Sequence, residues 1–374
     1  MDFSALAGEL LKGVSALGAG QAAMLAVGLF LIGLAVVKKY EPLLLLPIGA
    51  GCLLANLPLS GLVGDEGLLG LLYRLGVRTE VFPLLIFIGV GAMIDFGPLL
   101  AAPRLALLGA AGQFGIFGVL ILAALLGYPI KEAASIGVIG AIDGPTSIFV
   151  AAKLAPQLLA PIAVAAYSYM ALVPVIQPPL MRLLTTRRER GIKMEYAPRP
   201  VSRRALVAFP IIVTVVIGAL VPDAAPLVGT LMLGNLLRES RVVERLAATA
   251  RNELINISTL FLGLAVGATM TAESFLNARA LGVLALGLIA FVVDTCAGLL
   301  MGKLMCLLSR GRINPLLGAA GISAFPMAGR LVAQAAQKED QDNFLLMHAL
   351  GANTSGQLAS VIAGGVLLAL ASGF

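Results

Sequence analysis

Eight apolar runs near or beyond 18 residues recur along the chain, at residues 21–37, 83–100, 105–126, 156–181, 205–221, 254–270, 281–300 and 344–370. Each is long enough to cross ~30 Å of hydrocarbon as a helix. The fold class that follows is an all-α membrane protein. Of the 374 residues, 59% are apolar and 12% charged, against about 25% charged in an ordinary soluble domain. The longest polar stretch, 182–204, is too short to fold alone, so any chemistry must use intramembrane side chains or a partner subunit.

A net charge of +6 invites a nucleic-acid reading, but the Lys and Arg lie in short loops, where the positive-inside bias puts them. Charge here reports topology. Cys52, Cys296 and Cys306 lack paired spacing and His348 is the single histidine, so neither a disulfide framework nor a zinc or haem site is supported. No Walker-type loop and no dinucleotide fingerprint occurs. Asp2, Glu9 and Lys12 alternate with Phe3, Leu6, Leu10 and Leu11, which suits an interfacial helix over residues 1–18 better than a signal peptide. The chain is therefore read as unprocessed.

The two halves resemble each other. LIFIGVGAMIDFGPLL (85–100) aligns with FLGLAVGATMTAESFL (261–276), and IGAIDGPTSIFVAAK aligns with AGISAFPMAGRLVAQ through Pro145 and Pro326. Orientation comes from the basic loops. Residues 182–204 hold eight Lys/Arg against two Glu, residues 238–251 hold four Arg, residues 303–312 hold three basic residues, and Lys38-Lys39 follow the first run. All should face the cytoplasm. Treating 133–153 as a full crossing puts 182–204 on the wrong side, whereas a re-entrant hairpin there restores agreement; the same test makes 314–334 re-entrant from the opposite side. Each half then has five crossings and one hairpin, and odd parity inverts the second copy. The expected organisation is an interfacial helix (1–18), repeat 1 (19–182, hairpin near 133–153), a basic cytoplasmic linker (183–204) and repeat 2 (205–374, hairpin near 314–334). Inverted repeats with broken helices at the midplane mark secondary transporters, here of elevator-like architecture. Gly137, Gly140, Gly144 and Pro145 in one hairpin, and Pro315, Gly318, Gly321, Pro326 and Gly329 in the other, imply non-helical backbone buried in protein or lining a cavity.

Asp143 is the strongest single signal, because a carboxylate at membrane depth costs at least ~2.5 kcal/mol and persists where it pairs, titrates or binds a cation. Gly144 and Pro145 free carbonyls beside it, and Thr146 and Ser147 add hydroxyl oxygens. The competing reading is a helix-capping Asp at a Pro-induced turn. Facing it through the repeat lie Asn314 and Ser323, whose oxygens can complete a cation shell. Arg330 would repel a cation and reads as a carboxylate ligand, or else as a snorkelling side chain. Two polar clusters, Tyr167, Ser168, Tyr169 and Gln177, and His348, Asn353, Thr354, Ser355 and Gln357, fall at matching places in the repeat; each residue alone could serve helix–helix hydrogen bonding. Asp95 and Asp294 are further candidates without an assigned role.

The stretches Gly140–Ser147, AVAAYSYMALVPVIQPPLMRLLTT (163–186), NPLLGAAGISAFPMAGRL (314–331) and NFLLMHALGANTSG (343–356) closely resemble the beta subunits of the biotin-dependent sodium-pumping decarboxylases, the oxaloacetate, methylmalonyl-CoA and glutaconyl-CoA group. The resemblance spans nearly the whole chain. It implies a multi-pass subunit of the inner (plasma) membrane that takes carboxybiotin from a biotin carrier subunit, releases CO₂ while consuming a proton, and exports Na⁺. It also implies a carboxytransferase (alpha) subunit, a small membrane anchor subunit and a homo-oligomer. By resemblance Asp143, Tyr169, Asn314, Gly318, Ser323 and Asn353 belong to Na⁺ binding, with Na⁺ as the one metal and no transition metal, while Arg330, Tyr169 and Ser323 serve the decarboxylation. Ala352-Asn353 stands where many members have Pro-Asn, followed by Thr354-Ser355, which puts the details around Asn353 in question. The rival is a Na⁺-coupled secondary transporter of an organic anion. The choice of carboxyl donor is not written in the chain, though its compact length leans towards an acyl-CoA.

Overall fold

A computed structural model describes residues 11–64, 66–194 and 201–373. Among them there are helices and loops and no strand. The first half carries α1 (Ala19–Val37), α2 (Pro42–Ala55), α3 (Val81–Met93), α4 (Phe114–Leu125), α5 (Ile130–Gly137), α6 (Gly144–Leu154) and α7 (Leu159–Leu184). The second carries α8 (Arg203–Leu220), α9 (Ala225–Ser240), α10 (Ile255–Ala268), α11 (Ala278–Leu308), α12 (Met327–Glu339) and α13 (Leu346–Ser372). Of the interfacial helix expected over 1–18, residues 11–15 are helical and 1–10 lie outside the described residues, as do 195–200 of the linker.

Among the described residues six helical runs are long and apolar enough to cross a bilayer: α1, α4 with its lead-in from Pro103, α7 with its lead-in from Pro156, α8, α11 and α13. The protein is thus a multi-pass membrane protein. The apolar run expected over 83–100 breaks at Met93. Beyond it Asp95 accepts from the Gly97 N–H (2.8 Å) and pairs with Arg238 (3.2 Å), so this carboxylate turns the chain out of the helix. α2, α9 and α10 have 14, 16 and 14 residues, short of the ~20 that a straight crossing takes. They pair instead: α2 runs along α10 and α3 along α9, with α1 on α2 and α8 on α9. Burial ranks the helices from centre to edge, 67% of the apolar window being covered in α7 and α13 but 6% in α8, which puts α8 on the outside of the bundle.

Two segments fold back on themselves. In the first, α5 leads through a 3₁₀ turn (Val138–Ala141) to Ile142, which sits at φ +54° in the left-handed region, and α6 returns. Glu132 and Gln157, at its two ends, are joined by a 3.0 Å hydrogen bond. A continuous helix would hold residues 25 apart at roughly 37 Å, so the chain comes back to where it began. In the second, the 3₁₀ segment Pro315–Gly321 leads to α12. The Asn314 and Asn343 side chains at its two ends donate to the same carbonyls, Arg190 (2.9 and 3.2 Å) and Ile192 (2.8 and 3.2 Å).

α11 fixes how the two lie. At its start Arg279 is 3.7 Å from Glu132, at the base of the first hairpin. Towards its end Lys303 donates to Leu184 (3.0 Å) and pairs with Glu189 (3.5 Å), beside the base of the second. The hairpins therefore begin at opposite ends of one 31-residue helix, and their tips meet, the Ser323 N–H donating to the Ala141 carbonyl at 3.1 Å. Residues 132–151 and 313–324 are buried throughout. Buried non-helical backbone needs partners, and amide side chains from three other segments supply them: Gln177 to the Ala319 carbonyl (2.8 Å), Gln113 to Gly321 (3.3 Å) and Asn353 to Ile322 (2.7 Å).

Candidate functional site

At the tip of the first hairpin the local sequence dictates the turn. Proline in the first turn of a helix loses no hydrogen bond, and Asp143 caps α6, its Oδ1 accepting from the Thr146 N–H at 3.4 Å. Gly144 is required by space, because a Cβ there would run into the Tyr167 ring. The other carboxylate oxygen, Oδ2, accepts from Thr146 Oγ1 (2.7 Å), Gln357 Nε2 (2.7 Å) and Ser360 Oγ (2.9 Å). Oδ2 is fully engaged, while Oδ1 holds one long bond. Capping and ion binding, posed above as alternatives, are compatible here, since the cap leaves Oδ1 with open lone pairs. Carboxylate, amide and hydroxyl oxygens without nitrogen or sulfur ligands are a donor set for a hard cation.

Asp143 opens onto a cavity of about 420 Å³, within the range of small-molecule sites. One wall comes from the hairpins and their neighbours, with Ile142, Asp143, Tyr167, Ser323, Arg330 and Gln357. The other comes from α2, α3 and the α10 region, with Glu41, Leu44, Val90, Arg251, Asn256 and Thr259. The Tyr167 hydroxyl is buried and has no partner. Burial pushes the Glu41 carboxyl above the ordinary carboxylate range, which weakens its hold as a counter-charge.

The structure brings Asp143, Ser323 and Arg330 to this one cavity, together with Tyr167 and Gln357 of the two polar clusters, and leaves Tyr169, Asn314, Gly318 and Asn353 off it. Tyr169 turns the other way, because helical spacing sets residues two apart on different faces; its hydroxyl donates to the Leu284 carbonyl of α11 at 2.5 Å, and Tyr167 takes the cavity wall. Asn314 lies at the base of the second hairpin, its amide spent on Arg190 and Ile192 and its oxygen on the Leu316 N–H (3.0 Å). Gly318 packs on α11, where a Cβ would strike the Gly298 carbonyl. Asn353 is fully buried behind the second tip, with its Oδ1 unpartnered. Ser360 was missed although it sits one turn beyond Gln357 on the same face. Glu41, Arg251, Asn256 and Thr259 carry no local signal, since distant segments bring them in. Asp294 is fully buried in α11; its Oδ1 accepts from the Gly115 N–H at the start of α4, so one role is to cap that helix.

Residues 20–371 match the family described as the Na⁺-transporting oxaloacetate decarboxylase beta subunit. The chain is 51% identical over 354 residues to the glutaconyl-CoA decarboxylase subunit beta of Acidaminococcus fermentans, covering 95% of this chain and 94% of that one. It is 52% identical over 361 residues to the methylmalonyl-CoA decarboxylase subunit beta of Veillonella parvula, covering 96% of each. With the oxaloacetate decarboxylase beta chain of Klebsiella pneumoniae it shares 48% identity over 417 aligned positions, covering 95% of this chain and 96% of that one. The chain therefore belongs to the beta-subunit family of the Na⁺-transporting decarboxylases.

Proposed function

We propose that this protein removes CO₂ from carboxybiotin in the cavity and uses the reaction to export Na⁺, consuming a proton. The observation that carries the reading is a single cavity that joins a buried carboxylate at two meeting hairpin tips to an arginine. Asp143 Oδ1, with Gln357 and Ser323 beside it, binds Na⁺ as transported cargo; Arg330 takes the carboxyl group of carboxybiotin. Tyr169 serves by fixing α7 to α11, Asn314 and Gly318 by fixing the second hairpin to the linker and to α11, and Asn353 by holding the second tip and offering its buried Oδ1.

Inverted repeats account for the exchange of partners in which α2 packs on α10 while α3 packs on α9, and for hairpins that start at opposite ends of α11. In this reading the hairpins are re-entrant from opposite membrane faces and move together past a scaffold of α2, α3, α9 and α10, alternating access as an elevator. The rim of the cavity lies beside basic stretches, Lys38-Lys39 next to Glu41 and residues 238–251 ending at Arg251, so it opens to the cytoplasm, where a biotin carrier subunit delivers its load. A carboxytransferase subunit, a small membrane anchor and further copies complete the assembly in the plasma membrane, the inner one in a cell that has two. An acyl-CoA is the favoured first carboxyl donor. The alignment with the oxaloacetate relative runs to 417 positions, while those with glutaconyl-CoA and methylmalonyl-CoA relatives run to 354, 361 and 382, nearer the 374 residues of this chain. The test is CO₂ release from free N-carboxybiotin by the purified subunit in proteoliposomes, with and without Na⁺. Release that Na⁺ stimulates is expected, and release indifferent to Na⁺ removes the coupling.

A further inference from the structure

Two arginines line the same cavity, one on each wall. Arg330 stands on α12 of the second hairpin, and Arg251 stands in the π-helical turn Ala250–Leu254 that leads into α10. Among the described residues neither side chain has an ion-pair or hydrogen-bond partner. The acidic groups on the cavity are Asp143, with Oδ2 engaged by three donors, and Glu41, whose charge burial disfavours. A cavity with two unpaired arginines, whose acidic groups are one carboxylate already engaged and one that burial disfavours as an anion, has room for a bound anion.

We infer that Arg251 is the second arm of a two-arginine clamp for the carboxylate of an N-carboxylated biotin headgroup, Arg330 being the first, and this rests on the function proposed above. Asn256, one turn beyond Arg251, offers an N–H to the ureido carbonyl, and the apolar walls receive the thioether ring. The two arms belong to different packing groups, since α10 runs along α2 and α3 whereas Arg330 rides on a hairpin. A bound carboxylate therefore ties hairpin to scaffold. When the N–C bond breaks, its electron pair stays on the ureido nitrogen, that nitrogen takes up the consumed proton, and CO₂ leaves uncharged. One negative charge is gone from between two fixed positive ones, and the tie is released in the same event that finishes the chemistry. A movement gated this way begins after decarboxylation and not before it.

Full-length protein in proteoliposomes, given free N-carboxybiotin, tests the clamp. Arg251→Gln is expected to raise KM for N-carboxybiotin about tenfold, the loss of one charge-assisted contact, with kcat falling less than threefold and the Na⁺ concentration for half-maximal rate unchanged. Arg251→Lys should return KM to within about threefold of the parent, and Arg330→Gln should depress kcat and kcat/KM together. Na⁺-induced thermal stabilisation reports whether each variant is folded, and Arg251→Met, which keeps the apolar stem, stands in should the glutamine variant not fold. A parent protein that shows Na⁺-stimulated CO₂ release, with Arg251→Gln or Arg251→Met leaving KM within twofold, overturns the clamp alone. A parent protein that releases no CO₂ from N-carboxybiotin overturns the function beneath it, whatever Arg251 does.

Discussion

Asp143→Asn keeps the shape of the hairpin tip and removes its charge, so its effect can be worked from the geometry. With the amide oxygen in the place of Oδ2, the bonds from Thr146, Gln357 and Ser360 at 2.7, 2.7 and 2.9 Å survive in neutral form, each dropping from roughly 1.5–3 to roughly 0.5–1.5 kcal/mol. The amide nitrogen then occupies the Oδ1 position, where it meets the Thr146 N–H and turns donors towards the space an ion needs. The lost charge is the larger effect on binding. Unit charges 4 Å apart at an effective dielectric of about 20 attract by ~4 kcal/mol, about a thousandfold in affinity. In a thermal melt of the purified protein, Na⁺ at 100 times its Kd should stabilise the parent by about 2.7 kcal/mol and leave the variant where it was. Na⁺-stimulated decarboxylation should vanish with it. A variant whose Na⁺ half-saturation stays within threefold of the parent would refute the assignment of this carboxylate as the ion ligand.

Two further outcomes follow from the packing. Gly318→Ala places a methyl group against the Gly298 carbonyl, pushes the second hairpin off α11, and should cost about 1–3 kcal/mol as an overpacked contact; a thermal midpoint equal to the parent's would show that the two backbones are not in contact. Glu339 is held below the ordinary carboxylate range by hydrogen bonds from Arg190 and then Arg187. A depressed folded pKa stabilises above the unfolded value, about 4.5, and that stability is lost as pH falls through the folded one. Glu339→Gln should therefore speed amide hydrogen exchange over residues 187–194 at pH 7, with the difference from the parent closing as the pH falls through the lowered folded pKa, and equal exchange at neutral pH would count against the linker being tied down through this carboxylate.

Apolar run length, loop charge and the glycine–proline clusters were enough to read helices in lipid and two interrupted segments, because the need to satisfy backbone groups in hydrocarbon acts on local sequence. Asp143 announced itself the same way, as a carboxylate where carboxylates are costly. What lay beyond sequence was which side chains share a space. Tyr169 and Tyr167 are equivalent in composition and differ only in the helix face they occupy, and the face towards the cavity became known once α11 was seen against Tyr169. Asn314 reads as a cation ligand in the sequence, which carries no sign that the linker at Arg190–Ile192 takes its amide. Arg251 and Asn256 stand more than a hundred residues from Asp143, and no local rule connects them. The chain's own pattern determined that an oxygen-rich break interrupts its apolar helices, since helices that cross hydrocarbon constrain the sequence locally. The tertiary packing alone decided what faces it across the cavity, since that depends on helices meeting from distant parts of the chain.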